Sequence, residues 1–152
     1  MAVDPLTRRV WVLHGNGGVH SADVFDTTNG DLVLVDSFAL PGFVPIQSSI
    51  VPLPGGDAIV TDGLRVLRLD ANANPEVTTV ATAVGDERIQ SASRRPDVDE
   101  VWEVRSNDNA VMDFDAALVV RGFDGIERSR IELGPGACWA ARLRARCTDE
   151  GL

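Results

Sequence analysis

No apolar run in this sequence is longer than a strand. Stretches such as Leu32 to Val35 stop far short of the roughly 20 residues that a membrane-spanning helix needs. Cysteine is nearly absent, Cys138 and Cys147 standing alone, so a disulfide-built scaffold is excluded. Basic residues are few: 14 against 23 acidic ones give a net charge of −9, which repels phosphate backbones and anionic headgroups and disfavours nucleic acid and membrane partners. Met1 leads at once into strand-like sequence with neither a basic n-region nor an apolar h-region, so no signal peptide is expected; a clipped signal or a cut from a longer protein stays open. A G-x-S-x-G elbow is missing, and neither cysteine stands beside a histidine in sequence, so no nucleophile is assigned. Helical periodicity is missing everywhere before the C-terminus.

What is present reads as β-structure. The 152 residues amount to one domain, and 44% hydrophobic with 24% charged residues is the composition of a globular chain. Val10 to Leu13, Val24-Phe25, Leu32 to Val35, Ala58 to Val60, Val66 to Leu69, Val77 to Val80, Val101-Trp102 and Ile131 to Leu133 are rich in β-branched and aromatic residues. Turn formers bound each of them. Asn29-Gly30, Gly55-Gly56 and Asp124-Gly125 suit turns that need positive φ. The expectation is roughly a dozen short antiparallel strands.

The runs repeat. VDPLTRRVWVLH (Val3 to His14), VPLPGGDAIVTD (Val51 to Asp62) and RRPDVDEVWEVR (Arg94 to Arg105) each show a Pro-containing turn, a polar pair and a strand. Trp11, Ile59 and Trp102 then fall at equivalent places. Phe25-Asp26 and Leu69-Asp70 follow in their units; in the third, Phe123-Asp124 fits the turn and Phe114-Asp115 the spacing. Units of about 40 to 50 residues with four short strands have the composition of a propeller blade.

At these residues, and at SADVFDTTNGDLVLV, SSIVPLPGGDAIVTDG and PDVDEVWEVRSNDNAV, the chain resembles the YVTN-type repeats of bacterial β-propellers, relatives of the NHL families. The resemblance implies an all-β fold of about three four-stranded blades, at 2–45, 46–90 and 91–136, with a β-sandwich as the alternative. Residues 137–152 would add a strand or a short helix. In such blades the connection between strands two and three shares a face with the connections between blades. That rim would take in His14 to Ala22, Ser106 to about Leu118, Leu40 to Gln47, Gly85 to Gln90 and Gly134 to Ala137, and loops on a rigid scaffold are where binding tends to occur.

The candidate residues lie mostly on that rim. HGNGGVHSAD places His14, His20 and Asp23 within ten residues, a set that could bind a ligand or a transition metal. Five residues between the histidines is no recognised ligand spacing, so a strand connection is the expected role, with side chains that need not converge. Asp70, Asn72 and Asn74 imitate the start of a calcium loop until Pro75 and Ala81 break it, leaving a polar turn. Asn107, Asp108 and Asn109 form a second ligand-binding candidate, and Asp108, Asp113 and Asp115 are the calcium candidates; otherwise no cofactor is expected. Trp11 and Trp102 read as packing residues. A Cys138–Cys147 disulfide would point outside the cytoplasm, against free or buried thiols as the alternative. The functional expectation is a non-enzymatic scaffold whose rim binds a protein or a glycan. A propeller enzyme fragment, lactonase, hydrolase or quinoprotein-like, is the rival. Three blades leave apolar end faces, so either self-association or a longer propeller is expected.

Overall fold

The computed structural model describes residues 1–4, 6–44, 47–95, 97–107 and 115–135. They form strands and turns with no helix. The first sheet contains β1 (Ala2–Asp4), β2 (Arg9–Asn16), β3 (Val19–Asp26) and β4 (Val33–Ala39). The second contains β5 (Ser49–Pro52), β6 (Ala58–Thr61), β7 (Arg65–Leu69) and β8 (Val77–Thr82), and the third β9 (Glu87–Arg94), β10 (Glu100–Asn107), β11 (Asp115–Gly122) and β12 (Glu127–Pro135). Each sheet is an antiparallel meander in sequence order. The protein is therefore all-β, built from three four-stranded antiparallel sheets.

Turn chemistry sets the strand ends. Gly17 and Gly18, at φ 59° and 87°, make a two-residue hairpin turn of the primed kind, which matches the twist of its strands. The ladder consequently runs without interruption from Arg9↔Asp26 to Asn16↔Val19. This corrects the expectation of a connection from His14 to Ala22: all but the two turn glycines and their flanks are strand. The expected Gly85 to Gln90 connection shrinks likewise to residues 83–86, because Glu87 and Ile89 already pair with Asn107 and Arg105. Gly134 belongs to β12, paired with Ala116. β10 reaches Asn107 and β11 begins at Asp115, so the connection expected from Ser106 to Leu118 is confined to residues 108–114, outside the described residues.

The sheets stack through alternating side chains, since successive residues of a strand point to opposite faces. One core cluster joins Trp11, Ala22, Val24 and Phe38 of the first sheet to Ile50, Ala58, Val60, Leu67 and Leu69 of the second. A second cluster joins Val51, Ile59 and Val66, on the other face of the second sheet, to Ile89 and Val101 of the third. β5 lies against both β1 and β9. Each sheet thus has a front, towards its predecessor, and a back, towards its successor; the middle sheet is covered on both.

Trp11 and Ile59 lie on the backs of their sheets, each 1% exposed. Trp102, at the equivalent place on the back of the third sheet, is only half-buried. Its indole donates to a Glu100 carboxylate oxygen at 3.3 Å, and the Arg95 guanidinium sits 5.9 Å from its ring. The two tryptophans therefore share a strand position but not an environment, because only the back of the first sheet has a further sheet of this stack against it.

The front of the third sheet carries a buried ionic cluster. Glu103, fully buried, accepts from Arg105 at 2.7 and 3.0 Å and from Arg121 at 2.8 Å. Arg105 also reaches Glu87, which pairs with Arg130. Every basic side chain in this protein is arginine, as the chain contains no lysine. The planar guanidinium fork can serve two carboxylates at once, which a lysine ammonium does less well.

Candidate binding rim

In a meander, alternate connections leave from the same end of the sheet. The β2–β3 turn, the β4–β5 connection, the β6–β7 turn and the β8–β9 connection therefore share one end, and hydrogen bonds knit them together. The Leu40 amide donates to the His20 carbonyl at 2.8 Å, and the Arg65 guanidinium to the Gly42 carbonyl at 2.8 Å, joining the first sheet to the second. The Ile89 amide donates to the Gly63 carbonyl at 2.8 Å, joining the second to the third.

His14 and His20 do not converge. Their pairing partners, Ser21 and Gly15, are adjacent residues on opposite strands, so the two imidazoles point to opposite faces of the first sheet. His20 lies over Gly15, where a Cβ would overlap the ring, and its centroid is 5.5 Å from that of Phe43. Its Nδ1 is buried with no hydrogen-bond partner among the described residues. His14 points to the front and meets Asp23 at 2.8 Å, while Ser37 Oγ donates to the other Asp23 oxygen at 2.6 Å. Strand pairing thus brings His14 and Asp23 together, which the spacing alone did not require. Asp23 stands between the serine and the histidine. The hydroxyl accordingly meets the carboxylate and not the imidazole, so the trio lacks the serine–imidazole–carboxylate order of a catalytic triad.

His14 and Arg105 on their second strands and Asp62 just past the end of β6 hold equivalent places in the repeat, and each is already engaged. Asp62, 1% exposed, accepts from the Leu64 and Arg65 amides and from the Arg65 guanidinium at 2.6 to 3.1 Å. Arg105 is held by Glu103 and Glu87. Burial pushes the Glu87 carboxyl up, but hydrogen bonds and charge from Arg130 and Arg105 outweigh it and hold its pKa below the ordinary value. Among the described residues, no group of three or more His, Cys, Asp or Glu side chains is placed to hold a metal ion.

Asp70 accepts from the Asn72 amide at 2.9 Å and closes a turn with the Glu76 carbonyl, so it caps a loop as a polar turn residue does. Asn107 ends β10 and Asp115 begins β11. Asp108, Asn109, Asp113, Cys138, Cys147 and the whole 137–152 segment lie outside the described residues.

Sequence reasoning missed the apolar character of this end. Val19, Val44, Leu64 and Val84 are 69%, 37%, 41% and 75% exposed, Val19 at the start of β3 beside its turn and the others on the next three connections. Each adjoins or lies close to a turn glycine or proline and reads in sequence as the frayed end of a strand. The available signal was an aliphatic residue outside the alternation of its neighbours. The opposite end exposes Leu6, Leu32 and Ile126 on turns of the outer sheets, but the middle sheet's turns there carry Gly55, Gly56 and a polar loop from Asp70 to Glu76. Compared with known proteins, the chain matches no family model, no curated protein and no solved structure.

Proposed function

We propose that this chain is a non-enzymatic binding module: three blades of a β-propeller of the YVTN/NHL kind, whose knitted rim takes a protein partner. Three successive meanders with β5 between β1 and β9 support the propeller reading, since a two-sheet sandwich leaves one face of each sheet uncovered, whereas here the middle sheet is covered on both. The observation that carries the binding role is the set of exposed Val19, Val44, Leu64 and Val84 at one end of the sheets, on or beside connections joined by hydrogen bonds. Exposed aliphatic side chains favour a protein over a glycan as ligand.

The test is a peptide-display selection beside a glycan array, both on the intact chain. Selected peptides are expected to lose about tenfold or more in affinity with Leu64→Asp or Val84→Asp and to keep it with Leu6→Asp. Binders insensitive to both rim changes would overturn the rim assignment, and glycan binding without peptide binding would replace the partner class.

A further inference from the structure

The stack of sheets is directional, and its first face is open. On the front of the first sheet Val3, Val10, Phe25 and Leu34 are paired in register across all four strands, Val3↔Val10, Val10↔Phe25 and Phe25↔Leu34. The same row in the middle sheet is Pro52, Ala58, Leu69 and Val77, where Ala58 and Leu69 are fully buried beneath the back of the first sheet and Val77 packs against that core. In the first sheet no sheet among the described residues covers the row: Val10 and Phe25 are half-buried, and Val3 and Leu34 at its ends are 58% and 54% exposed. At the other end, the back of the third sheet presents Trp102 at the place where Trp11 and Ile59 meet a successor. On that face Val104 and Val120 are buried, while Ile131, paired with Leu118, is 52% exposed.

We propose that the front of the first sheet is an interaction surface for a second copy of this chain, which places the back of its third sheet there, with Trp102 and Ile131 over the Val3–Val10–Phe25–Leu34 row. Within the chain, backs meet fronts twice through equivalent strands, β1 with β5 and β5 with β9, and a second copy would continue the same stacking. A front-to-front dimer would pair two faces that nowhere meet each other within the chain. The contact is head-to-tail, so one molecule offers both halves, and two molecules can satisfy all four end faces in a closed pair. His14, Asp23 and Ser37 lie on the same front and would be enclosed by it, with the Asp23 oxygens already hydrogen-bonded. This surface is separate from the rim, so its failure and that of the rim reading are read from different residues.

Sedimentation equilibrium of the intact chain at micromolar concentrations tests it. The parent is expected to associate, and Leu34→Lys on the front or Ile131→Lys on the back each to weaken association by about tenfold or more. Mixing the two variants should restore association, because one of the two contacts then joins an unaltered front to an unaltered back. Both side chains are more than half exposed, and an unchanged denaturation midpoint at low protein concentration confirms that each variant folds. A parent that stays monomeric overturns the proposal. So does association abolished by Leu34→Lys and untouched by Ile131→Lys, which is the mark of front-to-front pairing.

Discussion

The two interfaces between sheets are built from the same topology and opposite chemistry. Between the first and second sheets the contact is apolar: Trp11 stacks on Phe38 at 5.9 Å, and Val60, Leu67 and Leu69 fill the facing side. Between the second and third, the cluster of Val51, Leu53, Ile59, Val66, Ile89 and Val101 is smaller, and beside it lies Glu103 with its arginines. Val60 and Glu103 hold the same place on their second strands. A front-facing position on these sheets thus demands that something fill it, not that it be hydrophobic. The two interfaces should consequently respond to different insults, the first to loss of volume and the second to loss of charge balance.

The largest expected effect is on the apolar interface. Trp11→Ala should cost about 3 to 5 kcal/mol in urea denaturation, the range for truncating a large buried side chain. Trp102→Ala should cost less than half as much, its ring being half-buried. Equal losses would mean that the two positions are packed alike.

Glu103→Gln comes next. Removing one charge leaves Arg105 and Arg121 buried without full compensation, and breaking such a set costs about 3 kcal/mol or more. The same substitution logic predicts little dependence on added salt, because the cluster is shielded from solvent. A variant as stable as its parent would show that the arginines repack without cost.

A smaller effect concerns acid. Glu87 has a folded pKa below its ordinary value of 4.5, so the stability it contributes is fully present above that value and is lost as pH falls through the lower folded one. Glu87→Gln should therefore destabilise at neutral pH and flatten the acid limb of a stability–pH curve. An acid limb identical to the parent's would remove Glu87 from the coupling. The smallest effect is expected at His14, whose side chain is 52% exposed: His14→Ala should change stability by less than about 0.5 kcal/mol, as exposed pairs do.

Some of this was legible from residues alone. Strand runs broken by Asn29-Gly30, Gly55-Gly56 and Asp124-Gly125 announce hairpins, because only certain residues accept positive φ there, and Gly30, Gly55, Gly56 and Gly125 all adopt it. The repeat at Trp11, Ile59 and Trp102 was equally plain, and all three fall on second strands. The extent of the connection expected from His14 to Ala22 was not. Glycines and histidines look like a loop in a one-dimensional reading, whereas a two-residue turn lets both strands absorb them.

The sequence by itself determined the all-β class, the number of strands in each repeat and the places of the turns, because these depend on local backbone preference and on alternation over a few residues. Tertiary structure alone decided which side chains meet. The parity of strand pairing put His14 beside Asp23 and turned His20 to the opposite face. The order of stacking buried Trp11 and left Trp102 half-open, and the approach of one sheet to the next converted Glu103, Arg105 and Arg121 from scattered charges into one buried cluster. Whether such side chains meet depends on strand pairing and on the burial that a neighbouring sheet imposes, even for residues as close in the chain as Glu103 and Arg105.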